Sequence, residues 1–242
     1  MQSNNPLFKR ATFEVAGEPM TVNGAIQRTV MLTGMSTALA VAFYAYSLSQ
    51  ASSGVGMMGA LLGGIVAMIL ALITSFRPHL SQSLAIPFAL MEGVFMGGIS
   101  ATYETRFPGL PLIAMAATFA TTFGLLALYK ANIIRATDKF KSVVISASLA
   151  IFALYIIQMF MSLFFSGSIP FLFDNGIIGL GFAAFVAIIA SLNLILDFDL
   201  IERCAAVQAP KYMEWFCGIA LLATLVWMYV SFLRLLGIIR SN

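Results

Sequence analysis

Seven long apolar runs divide this chain, with polar or Gly- and Pro-bearing segments between them. They are Thr29–Gln50, Met57–Phe76, Ser81–Tyr103, Pro111–Tyr129, Ser142–Phe165, Ile177–Glu202 and Glu214–Leu236. Each is close to the ~20 residues that an α-helix needs to cross a bilayer core. Lipid offers no partner to an open N–H or C=O, so runs of this length must close their hydrogen bonds within a helix. The pattern predicts an all-α polytopic membrane protein with seven transmembrane helices. Residues 1–28 are polar and carry Pro6, Gly17, Pro19 and Gly24. They read as a poorly ordered tail rather than a cleavable signal, because they lack a compact apolar core. The expected division is a tail over 1–28 and a transmembrane domain over 29–242.

Composition sharpens this picture. Of the 242 residues, 60% are hydrophobic and 10% charged, where a soluble domain carries about 25% charged residues. The connections Ser52–Gly56, Arg77–Leu80, Phe107–Pro111, Gly167–Gly176 and Ala205–Lys211 are short, and Ala131–Lys141 is longer and basic. No room is left for a soluble catalytic domain, so function should lie within the helices and their partner is the lipid bilayer. His79 is the one histidine, and Cys204 and Cys217 lack metal-ligand spacing, so they read as free thiols. No nucleophile–base pair, phosphate loop or ligand cluster suggests an enzyme or a bound cofactor. No basic, aromatic-rich soluble segment suggests nucleic acid.

Lys and Arg set the expected orientation. With the N-terminus in the cytoplasm, the inner side holds Lys9, Arg10, Arg28, Arg77, Lys130, Arg135, Lys139, Lys141, Arg203 and Lys211. The outer side holds only Arg106, Arg234 and Arg240, which puts the C-terminus outside. Gly59 and Gly63 in the second run, and Gly93 and Gly97 in the third, are small residues four apart that permit close helix approach.

Ionisable residues inside a membrane mark functional sites by default. In SLNLILDFDLIE, Asn193 and Asp197 are four apart and share a helix face, directed into protein. Asp199 falls on another face and pairs naturally with Arg203, four residues on. Glu92 lies mid-span in LMEGVFMGGIS and must be protonated, paired or wet. Glu214 opens the seventh run, where it can stabilise the helix dipole or meet Asp197 at the same membrane level. Arg77 ends the second run at that level too, free either to close onto Asp197 or to snorkel to headgroups. Carboxylates bind hard cations through oxygen, so Asp197 and Glu92 are candidate calcium sites and two stations of one path.

The chain resembles the Bax inhibitor-1 family, the transmembrane Bax-inhibitor-motif proteins, and within it the bacterial YccA-like members. The resemblance covers about residues 29–240 and rests on LMEGVFMGGIS, LNLILDFDLIE and LVWMYVSFLRLLG. It implies seven helices with the last one central, wrapped by the other six, in a bacterial inner membrane. It also implies a pH-sensitive calcium leak, gated by protonation of membrane-level carboxylates and carrying calcium as permeant ion. In that picture a sixth-span Asp, matching Asp197, pairs with a seventh-span Asp, and a second-span Arg, matching Arg77, holds the closed state. The second Asp falls on Thr224, ten residues before Arg234. Either Glu214 or Asp199 takes its place, or the latch differs. The alternative that the resemblance implies is a non-conducting regulator or substrate of a membrane-embedded ATP-dependent protease, with the polar tail as its handle. A proton-coupled transporter would call for internal repeats, and none is evident.

Overall fold

The computed structural model describes residues 18–50, 54–164 and 176–241. Residues 1–17 of the predicted tail, residues 52 and 53 of the connection at 52–56, and most of the connection at 167–176 lie outside them. Among the described residues there are seven helices: α1 (Val22–Ser49), α2 (Gly54–Phe76), α3 (Ser81–Arg106), α4 (Leu110–Lys130), α5 (Asp138–Phe164), α6 (Ile177–Ala206) and α7 (Met213–Ser241). All seven are long and apolar enough to cross a membrane. A single 3₁₀ turn, Pro78–Leu80, joins α2 to α3.

The largest departure from the expected boundaries is at α1, which starts seven residues before Thr29 and takes Val22–Arg28 out of the tail. Thr21 supplies the reason. Its hydroxyl accepts the Gly24 N–H at 2.9 Å, closing an N-cap that hydropathy does not register. The buried stripe Ala25, Thr29, Leu32, Ser36 and Ala40 then runs without a break through that start.

The core forms around α7, the most deeply buried of the seven spans. It packs directly on α1, α3, α4 and α6. The remaining two helices lie less close to it. α2 packs chiefly on the far side of α3, and α5 packs chiefly on α6. α7 is thus central, with α1, α3, α4 and α6 packed closely along it and α5 reaching it through the Tyr155–Arg234 hydrogen bond.

Glycine decides how closely α3 is held. A Cβ at Gly93 would stand 2.6 Å from the Ser36 carbonyl, and one at Gly97 2.5 Å from that of Ala40, so both permit backbone contact with α1. On the other side, a Cβ at Gly63 of α2 would stand 2.8 Å from the Met91 carbonyl. α3 is thus clamped between α1 and α2 by the small residues that the sequence singled out.

Contacts between helix ends show that the spans alternate in direction. Thr21 of α1 meets Glu214 of α7, Tyr129 of α4 meets Glu202 of α6, and Lys141 of α5 meets Asp199 of α6. This end carries most of the described Lys and Arg and is called the basic end below. At the opposite end Arg240 of α7 donates to the Pro108 carbonyl beside α4.

Candidate functional site

The acidic segment of α6 meets α7 near the basic end, because the connection between them is only a few residues long. Gln208 terminates α6 in the left-handed region at φ 53°. The Ala209 N–H then reaches back to the Cys204 carbonyl and the Gln208 N–H to that of Ala205, a Schellman closure. The chain reverses at once, and α7 runs back along α6.

Asp197 lies two turns before that closure, on the α6 face against α7. Its carboxylate meets the hydroxyl of Thr224, which also lies 3.2 Å from the Ala220 carbonyl of its own helix. The Oδ2 atom of Asp197 is buried and has no hydrogen-bond partner. Thr224 therefore stands opposite Asp197, at the position where the resemblance places a second carboxylate. The Cys204 and Cys217 thiols are neighbours beside this pair, and both cysteines are free.

The other carboxylates have partners elsewhere, and neither candidate substitute faces Asp197. Asp199 points to α5, where Lys141 Nζ lies 2.8 Å away, and it also pairs with Arg203. Glu214 is 1% exposed. It accepts the Thr21 N–H at 3.0 Å and its hydroxyl at 3.3 Å, with Lys211 at 3.7 Å. A Cβ at Gly24 would overlap that carboxylate in its present place, so a larger residue there would displace it. Glu214 is thus committed to the start of α1. The reason is chain direction, since it opens α7 ten residues before Thr224.

Arg77 does not close onto Asp197 in this structure. It is exposed and caps the 3₁₀ turn. Its helix, α2, lies outside α3, away from the α6–α7 seam. Glu92 is half-buried on α3 and makes no hydrogen bond or ion pair with another described residue. It shares its helix face with Phe88, Ala89 and Met96, which pack toward Leu222 and Val226 of α7. Those α7 positions lie on the side of the helix away from Thr224. Glu92 and Asp197 are therefore on helix faces that approach α7 from different sides.

Asn193 sits one turn above Asp197 and donates to Ser148 of α5 at 2.8 Å. Sequence reading left α5 without a role, yet it supplies three polar rungs two turns apart. Lys141 meets Asp199, Ser148 meets Asn193, and the Tyr155 hydroxyl accepts from Arg234 of α7 at 3.0 Å. The seven-residue spacing of Lys141, Ser148 and Tyr155 was the available signal. A cavity of about 440 Å³ lies along this seam, lined by Ser148, Tyr155, Asn193 and Trp227 among apolar neighbours. Among the described residues no three His, Cys, Asp or Glu side chains converge as a metal site would require.

A family model described as Bax inhibitor 1 like matches residues 4–241. Neither a curated protein nor a solved structure matches the chain.

Proposed function

The chain belongs to the Bax inhibitor 1 like family, and on that premise we propose that it is a pH-sensitive calcium leak whose gate is Asp197. The observation that carries this reading is the buried, unpartnered Oδ2 of Asp197 opposite Thr224. A proton on this carboxyl lets it stay dry between α6 and α7. Loss of the proton leaves a charge that a single hydroxyl does not satisfy, so water or a cation must enter. The path follows the α5–α6–α7 seam, from Arg234 and Tyr155 past Asn193 and Ser148 to Asp197, and leaves beside Asp199 and Lys141. Polar rungs make this the seam least costly to hydrate. Glu92 stands off the path, on another side of α7. The basic end faces the cytoplasm of a bacterial inner membrane.

Calcium flux into liposomes holding the purified protein, followed from about pH 6 to about pH 8, tests the reading. Flux should rise with pH, and Asp197→Asn should flatten the profile, while Glu92→Gln should leave its shape intact. An unaltered profile in Asp197→Asn removes the residue from the mechanism.

A second reading, regulator or substrate of a membrane-embedded protease, has one observation in its favour. The segment before α1 is bound to the α6–α7 turn. Met20 N–H donates to the Ala209 carbonyl at 2.8 Å, and Glu18 pairs with Lys211 at 3.2 Å. A pull on the tail would reach the Asp197 region directly. Absence of flux at every pH, together with loss of partner control on deleting residues 1–17, supports this reading instead.

A further inference from the structure

A groove opens to the lipid between α1 and α4 at the basic end, away from the α5–α6–α7 seam. Its volume is about 430 Å³, within the range of ligand sites. Leu221 and Leu225 of α7 form its floor. Along its walls Ile26, Val30 and Phe123 are 45%, 66% and 65% exposed. The hydroxyls of Thr29 and Thr122 donate to carbonyls of their own helices, at 2.9 and 2.7 Å, so they leave these walls apolar. The groove runs from Val22 to Thr33 on α1 and from Lys130 to Phe119 on α4. Both stretches span about 16 Å at 1.5 Å per residue. One leaflet of hydrocarbon is about 15 Å deep, half of the bilayer core. A crevice at this depth holds no bulk water, and an apolar chain entering from the adjoining leaflet fits its length.

The mouth of the groove carries charge of both signs. Lys130 ends α4 there, and no carboxylate of the described residues pairs with it. Glu202 of α6 lines the same mouth and accepts the Tyr129 hydroxyl on Oε2 at 2.8 Å, leaving Oε1 open. A cation and a carboxylate at the headgroup level complement a headgroup that carries a phosphate and a primary ammonium. We propose that the groove between α1 and α4 binds one phosphatidylethanolamine molecule, with its acyl chain on Leu221 and Leu225, its phosphate at Lys130 and its ammonium at Glu202. The ammonium offers N–H donors that a trimethylated headgroup lacks, and phosphatidylglycerol offers no cation to Glu202. The site is independent of whether the protein conducts.

The test is native mass spectrometry of the full chain in detergent, offered matched phosphatidylethanolamine, phosphatidylcholine and phosphatidylglycerol. The expected result is one retained phosphatidylethanolamine, held about tenfold more tightly than phosphatidylcholine. Glu202→Gln should erase that preference, and Lys130→Gln should weaken retention of all three. Val30→Trp, which fills the groove from an exposed position, should abolish retention while thermal unfolding is unchanged. Equal retention of ethanolamine and choline lipids by the unaltered protein overturns the proposal. So does preference for phosphatidylglycerol, or retention that Val30→Trp leaves untouched.

Discussion

Asp197, Asp199 and Glu214 all lie toward the basic end, and their partners give them different work. Asp199 holds Lys141 and Arg203, and Glu214 holds the start of α1. Asp197 alone keeps a buried oxygen without a partner. Separating Asp197 from Asp199 was legible in the sequence, because two residues apart on a helix means opposite faces. The fate of Glu214 was not legible, since its partner Thr21 lies 193 residues away. Thr224 offers a test at this scale. In Thr224→Asp a second carboxyl would face Asp197, and two such groups share a proton rather than both ionise. The flux profile of this variant should move toward alkaline pH. A profile identical to that of the unaltered protein would show that the two positions do not meet in the conducting protein.

The existence and place of each helix follow from hydropathy, since burying apolar surface in lipid is a local property of the run, while the ends extend past the apolar runs by up to seven residues. Ends that depend on caps are less visible. α1 begins at Thr21 because of one hydroxyl, and α6 stops at Gln208 because the chain accepts a left-handed residue there. The glycine pairs belong to this scale as well. Their spacing marks a face, but only the structure shows that Gly93 and Gly97 meet α1 while Gly63 meets α3. Gly97→Val should force α1 and α3 apart and lower stability by about 1–3 kcal/mol, the usual range for overpacking. Thermal unfolding in detergent measures it. An unchanged midpoint would show that α1 retreats at no cost.

Across the whole molecule, two regions some 193 residues apart in sequence are joined at the basic end. Glu18, Met20 and Thr21 bind Lys211, Ala209 and Glu214, so the start of α1 and the α6–α7 turn form one clasp. Glu214→Ala removes the acceptor of the Thr21 N–H and hydroxyl and leaves both without their partner. That loss should cost about 1–3 kcal/mol, and hydrogen exchange should rise at residues 20–25. Exchange that stays slow there would mean the clasp is held by Met20 and Glu18 alone. The clasp also places any force on the tail within reach of Asp197, which joins the two functional readings physically.

The order of hydrophobic and polar residues by itself determined seven helices, their places along the chain, their alternating directions and the face on which Asp197 lies. Each is a property of a stretch of some twenty residues in lipid, readable from its own composition and spacing. Tertiary structure alone decided that Thr224 faces Asp197, that Glu92 approaches α7 from another side, that α2 and Arg77 lie outside α3, and that α5 is joined by polar rungs. Those facts depend on how each helix is rotated about its axis and which neighbour it meets. Packing among segments far apart in the chain sets that rotation, because lipid satisfies an apolar face as readily as another helix does, and only the few glycines and polar side chains break the tie.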